Sequence, residues 1–272
     1  MLAVAAAGCR SLILEDRGDC PCFLFFDIQN AREFKNTEEV YAAAFQVPET
    51  GLYVKPTTNV YDIVSQEFYF KLKKRGNWGG YAVCGHYGAN LQDETDWVVP
   101  EGSEFVPLYR FDWQTEGFEE SKVLPVEFIK EYSRVLIRFK HFDQFSTVEG
   151  QFPFEVMIRS NTCGINALTG LPVRGAYLFK PEEEMGGEFR FILPRQADNA
   201  LTMELWVKEG IGYWQEGLAD TFNLWRMFNE AGSIDWTEKN LPDIELEIDY
   251  VERTYTVNVV EWTYAEEFSY EF

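Results

Sequence analysis

From residue 244 to 250 the chain reads Ile-Glu-Leu-Glu-Ile-Asp-Tyr, apolar and acidic residues alternating without a break. Successive side chains of a strand point to opposite faces, so this stretch has one face for a core and one for water. The same period of two, bounded by Gly, Pro, Asn and Asp, recurs along the whole chain and constrains it to antiparallel sheets. Strands are predicted at 22–28, 67–72, 80–85 and 105–111, and then at 135–140, 154–159, 176–180, 188–193, 201–207, 244–250 and 254–264.

One helix is predicted over 218–229, where Leu218, Phe222, Trp225 and Phe228 recur at helical spacing and Gly232 can end it. The stretch 36–45 admits two readings. Asn36 or Thr37 could cap a helix favoured by Ala42, Ala43 and Ala44, or the same residues could form a strand. Seven strands follow residue 120, enough for a whole sandwich, so a boundary is expected at Glu119-Glu120-Ser121. The expected fold is mostly β: two tandem β-sandwich domains, 20–120 and 121–272, with one short helix in the second and a leader and tether over 1–19.

Asp and Glu number 45 against 24 Lys and Arg, a net charge of -21. Both halves share the imbalance, which argues against a nucleic-acid partner and against attachment to a membrane by charge alone. The only basic cluster, Lys71, Lys73, Lys74 and Arg75, reads as a solvated turn. No run of eighteen apolar residues occurs, so no helix is predicted to span a bilayer.

The first eight residues are small and apolar and end in Ala6-Ala7-Gly8-Cys9, like the close of a bacterial lipoprotein signal without its basic start and most of its apolar stretch. Cys9 is therefore expected to be the lipidation site. The acidic, polar run Leu14-Glu15-Asp16-Arg17-Gly18-Asp19 would be its tether, and two or three acyl chains would hold the protein on a leaflet. The alternative is a core thiol in a first strand. Cys20, Cys22, Cys84 and Cys163 remain, and three pairings are open to them. Cys20 and Cys22 would share one face of a strand; simple unpaired thiols are expected ahead of a disulfide from that pair to Cys84, and the disulfide ahead of zinc, since there is no CxxC and His86 and His141 lack ligand-like spacing.

Neither a nucleophile elbow nor a phosphate loop nor a zincin helix motif occurs. Carboxylates such as Asp93 and Glu94, or Glu182 to Glu184, read as solvated loops in so acidic a chain. The expectation is a protein with no catalytic residues, cofactor or metal. Trp206, Trp214, Trp225 and Trp236 fall close together and could stack on sugar rings, which makes a glycan the alternative partner. Trp225 and Trp206 are expected to pack, and Trp214 to be exposed. Arg17-Gly18-Asp19, an adhesion-like tripeptide, lies in the tether and is set aside.

At the C-terminus the large residues Tyr255, Val257 and Val259 occupy odd positions, whereas Val260, Trp262, Tyr264, Phe268, Tyr270 and Phe272 are all even. A bulge or a change of strand between Val259 and Val260 accounts for the slip. A terminal segment with one alternating apolar face suits donation to a partner's open sheet edge. It equally suits a last pair of strands in the protein's own sheet.

Three stretches together resemble one family. They are Ala6-Ala7-Gly8-Cys9 followed by Glu15-Asp16-Arg17-Gly18-Asp19-Cys20-Pro21-Cys22; the run Gly232-Ser233-Ile234-Asp235-Trp236-Thr237-Glu238-Lys239-Asn240-Leu241-Pro242-Asp243; and Val257-Asn258-Val259-Val260-Glu261-Trp262. This is similar to the FimB-like anchor and minor-subunit lipoproteins of type V fimbriae of Gram-negative bacteria. The resemblance implies two transthyretin-like sandwiches, an acylated Cys9 in the outer membrane, and a fimbrial stalk subunit as partner at the strand of Val260, Trp262, Tyr264, Phe268 and Tyr270. Fibre subunits of such assemblies are matured by cleavage after an Arg. Here a cut at Arg17 would sever the lipid, so a subunit that keeps its first strand is expected.

Overall fold

The computed structural model describes residues 22–35, 38–47, 52–72, 76–118, 121–213, 216–231 and 234–260. The first half holds β1 (Cys22–Ile28), β2 (Glu39–Val47), β3 (Leu52–Asn59), α1 (Val60–Val64), β4 (Phe70–Leu72), β5 (Gly76–Cys84), β6 (Asn90–Gln92), β7 (Asp96–Val98), β8 (Tyr109–Phe118), β9 (Lys122–Val126) and β10 (Ile129–Lys130). The second holds β11 (Tyr132–Lys140), β12 (Phe154–Asn166), β13 (Pro172–Phe179), β14 (Glu183–Met185), β15 (Glu188–Pro194), β16 (Thr202–Val207), β17 (Leu218–Phe222), α2 (Leu224–Ala231), β18 (Asp243–Asp249) and β19 (Thr254–Val260).

Four sheets result, and the protein is mostly β as its alternation predicts. In the first half the sheet β4-β1-β9 faces β10-β8-β5-β2-β3; in the second, β14-β15-β11-β18-β19 faces β17-β16-β12-β7-β6, with β13 also on β12. Leu24, Phe26 and Ile28 of β1 are buried, and Phe26 meets the rings of Phe68, Phe70, Phe111 and Trp113 at centroid distances of 5.4–6.3 Å. The open reading of 36–45 resolves as a strand from Glu39 onward, β2, paired with β3 and β5. Its alanines Ala42, Ala43 and Ala44 are all buried, and β5 runs so close that a Cβ at Gly80 would lie 2.2 Å from the Ala43 carbonyl oxygen.

The helix expected over 218–229 is corrected in its first half. Residues Leu218–Phe222 form a strand against β16, with Met203 opposite Phe222 and Leu205 opposite Asp220. The helix begins only at Leu224, because Asn223 supplies the cap: its Oδ1 accepts the Arg226 N–H at 2.8 Å. From there the apolar spacing holds, and Leu224 and Phe228 are buried.

Two crossings tie the halves together. The hairpin β6–β7 lies early in the chain but adds to the second half's sheet, Trp97 opposite Ile165 of β12. Conversely β9, beyond the break read at Glu119-Glu120-Ser121, runs parallel to β1, and β10 pairs with β8. Sheet membership changes between Lys130 and Tyr132.

Candidate functional site

The hairpin β18–β19 realises the alternation that opens the sequence. Ile244, Leu246 and Ile248 are buried, with Val259, Val257 and Tyr255 opposite them. Asp249 shapes the turn, its Oδ1 accepting the Val251 and Glu252 N–H groups at 3.1 and 3.0 Å, and Arg253 takes a left-handed conformation with φ of 54°. Arg253 also lies over the Tyr250 ring and pairs with Asp220 of β17, which closes this end of the sandwich.

Beyond the turn the closure fails. β19 ends its sheet, and among the described residues no strand pairs with its outer edge. Tyr255 and Val259 point to the core side yet stay 39% and 37% exposed, so the core has an uncovered apolar row at this margin. An edge with unpaired backbone groups and apolar side chains is a template for another strand. The even positions Thr254, Thr256 and Asn258 occupy the other, solvent face of the sheet. Val260 falls on that face, opposite Asp243, and is 37% exposed. Trp262, Tyr264, Phe268 and Tyr270 lie outside the described residues.

Where β19 ends, the sequence reading missed a cluster of buried charge. Glu131 is fully buried and accepts from Arg110 Nε at 2.5 Å and from Arg195 Nε at 2.8 Å. Burial raises the pKa of its carboxyl, and the Arg195 and Arg110 guanidiniums pull against that rise. Arg110 belongs to the first half and Arg195 to the second, so Glu131 joins them at the point where the chain changes sheets. Arg195 also donates to the Trp236 carbonyl. Lys130, likewise fully buried, donates through Nζ to the Leu241 carbonyl at 3.0 Å and to Asp243 Oδ1 at 2.5 Å, while its backbone N–H donates to Asn240 Oδ1 at 2.9 Å. The segment 234–243 is thus held down on this junction, and Asp243 fixes the start of β18 by also accepting the Arg134 N–H at 2.8 Å. In the sequence Lys130-Glu131 stands between Phe128-Ile129 and Tyr132, and with Glu127 nearby nothing there sets it apart as buried.

The remaining candidates are scattered. Trp236 is buried and stacks on the half-buried Trp225, with centroids 6.1 Å apart and planes 16° apart; Trp206 is half-buried and donates to Glu204 Oε2 at 2.9 Å. Trp225 thus packs as expected, Trp206 lies half-buried on the outer face of β16 between the buried Leu205 and Val207, and Trp214 lies outside the described residues. A cleft of about 460 Å³ between β12 and β14 is floored by Phe154 and Phe189 and rimmed by the pairs Lys180–Glu155 and Lys208–Glu183. Cys84 is buried on β5, whereas Cys9, Cys20 and the side chain of Cys22 lie outside the described residues. Among the described residues no group of three His, Cys, Asp or Glu side chains could hold a metal ion, and no helix is long and apolar enough to cross a membrane.

No family model and no curated relative matches the chain. Solved structures do. The fimbrial anchor protein Mfa2 from Porphyromonas gingivalis aligns over 89% of this chain and 98% of its own, with 13% identity and a TM-score of 0.56. This chain has the fold of a fimbrial anchor protein. A candidate polysaccharide-binding protein from Bacteroides thetaiotaomicron aligns over 91% of this chain and 99% of its own at 11% identity and a TM-score of 0.63. A candidate adhesin of the same organism covers 91% and 100% at 11% identity and a TM-score of 0.56. The anchor-like fold therefore spans both halves, junction included.

Proposed function

We propose that this protein is a non-enzymatic surface subunit of a fimbria, held to the outer membrane through acylated Cys9, whose C-terminal segment pairs with a fibre subunit by strand exchange. The observation that carries the reading is the phase of β19. Its core-side row is Tyr255, Val257 and Val259, and its solvent face carries Thr254, Thr256 and Asn258. Were the strand to run on in register, Trp262 and Tyr264 would continue the solvent face. Large aromatic side chains there gain burial only if another sheet covers them. The likeness in fold to the Mfa2 anchor and to adhesins supports the assembly role, and the lipoprotein-like Ala6-Ala7-Gly8-Cys9 supports the anchor.

Metabolic labelling with a palmitate analogue tests the anchor. The wild-type chain, expressed with its export signal, should carry label in the outer-membrane fraction, and Cys9→Ala should carry none. Equal label in both would remove the anchor from the account. A glycan-binding surface lipoprotein is the second reading, favoured by the likeness to the candidate polysaccharide-binding protein and by Tyr213, 65% exposed at the tip of the second half. Trp236 is buried with Trp225 stacked on it, so these two do not form an open sugar platform, which ranks it second.

A further inference from the structure

The outer face of the small sheet β4-β1-β9 is chemically unlike the rest of this acidic molecule. Along β1 the residues Leu24, Phe26 and Ile28 point into the core, so Phe23 and Phe25 point out, and both are half-buried. Tyr69, just before β4, packs against them with ring centroids 5.2 and 5.4 Å away. Val123 of β9, opposite Phe25, is 50% exposed and on this face, as is the exposed Lys71, opposite Phe23; the exposed Asp27 shares the face toward its far end, and Lys122, opposite Leu24, belongs to the other side. The residues that follow Leu72 in sequence are Lys73, Lys74 and Arg75, outside the described residues.

This face also has a definite place. Cys22 pairs with Leu72 at one end of the sheet, and Ile28 pairs with Val126 at the other, next to the junction of Lys130 and Glu131. The aromatic rings and Lys71 gather at the Cys22 end, away from the junction, while Asp27 lies toward the junction end. Residues 10–21 separate Cys9 from Cys22, a tether that reaches at most about 40 Å when extended. A lipid at Cys9 would keep this end of the described structure within tether reach of the bilayer.

We propose that this face, Phe23, Phe25, Tyr69, Lys71 and Val123, rests on a bilayer surface that bears phosphate headgroups, and so sets the second half and its edge strand pointing away from the membrane. The inference rests on the anchored reading above. Its physics differs from recruitment by charge. The net charge of -21 repels an anionic surface at long range, but exposed charges more than about 8–10 Å away are screened at physiological salt, so the local sign decides once a tether has supplied the proximity. Lysines near an anionic surface and aromatic rings at headgroup level both favour that orientation.

The test uses the full chain tethered through an N-terminal hexahistidine tag to vesicles of phosphatidylcholine, phosphatidylglycerol and a nickel-chelating lipid, so it does not depend on acylation of Cys9. Single dansyl-type labels are impractical beside the native cysteines, so Val123→Trp and Leu171→Trp are compared; Leu171 is 63% exposed in the second half. Quenching by a headgroup spin-labelled lipid should add a component for Val123→Trp at least several-fold larger than for Leu171→Trp, over the shared tryptophan background. Adding Lys71→Glu should cut that component by about 25-fold in the ratio of bound to unbound orientations, since each unit of charge near such a surface counts for roughly fivefold and the substitution changes two. Equal quenching at the two sites, or no response to Lys71→Glu, overturns the proposal. If acylation fails and this quenching persists, the face stands and only the natural anchor falls.

Discussion

Replacing Glu131 by alanine is expected to lower the stability of the protein by about 3–5 kcal/mol, the cost of leaving buried cations without their counter-ion. Arg110 and Arg195 both lose their shared partner, and neither can turn to water, since their side chains are only 10% and 8% exposed. Asp112, at 2.5 Å from Arg110 Nη1, compensates only one of them. At the scale of this chain the loss corresponds to a fall of roughly 6–15 °C in the unfolding midpoint. Calorimetry should show something more specific than a shift. Arg110 and Arg195 come from different halves, so the variant is expected to unfold in two resolved steps where the wild type unfolds in one. A variant with apolar side chains of similar volume at all three positions should recover most of the midpoint, because the buried triad's desolvation offsets much of its attraction. A midpoint unchanged by Glu131→Ala would show that the junction is held by apolar contact alone.

The second large effect concerns assembly. Ending the chain after Val260 is expected to abolish co-assembly with the fibre subunit while shifting the unfolding midpoint by no more than about 2 °C. The reasoning is one of closure. Most of the second half's core is closed among the described residues: β18 is covered by β11 and β19, and Ile244, Leu246 and Ile248 are already buried. What the tail would add to its own molecule is a cover for Tyr255 and Val259. What it would add to a partner is a run of main-chain hydrogen bonds and alternate aromatic side chains. If the shortened chain fails to fold, the tail is a strand of the protein's own sheet.

Much of the architecture is legible in the sequence because water on one side and core on the other impose a period of two. β11, β15, β16 and β18 each fall within a few residues of their predicted positions for that reason. Strands without the contrast are not legible. β2 reads Glu-Val-Tyr-Ala-Ala-Ala-Phe-Gln-Val, with alanines buried in succession, and the same letters suit a helix; only its pairing between β3 and β5 decides. β17 carries helix-spaced residues that are in fact a strand, and the deciding residue is the single cap Asn223. The crossing of β6–β7 into the far sheet leaves no local trace, because register between distant segments is a tertiary property. The junction was hidden for a related reason. Lys130 and Glu131 have side chains that are ordinarily solvated, and their burial becomes visible only once Arg110, Arg195 and Asp243 converge on them from three other parts of the chain. At the C-terminal edge the expected bulge or change of strand between Val259 and Val260 is corrected: β19 pairs with β18 in unbroken register through both, so Tyr255, Val257 and Val259 form the core-side row and Val260 falls on the solvent face; in the proposed assembly the even row that follows it meets another surface.

That division is tested most directly by a photoreactive amino acid in place of Trp262 in the exported, membrane-anchored protein. Irradiation of cells making fimbriae should yield a covalent adduct between this chain and a fibre subunit, with none formed when the reactive group replaces Leu171, 63% exposed in the second half and not on β19. A cross-link that stays within one chain, joining position 262 to its own sheet, would contradict the account.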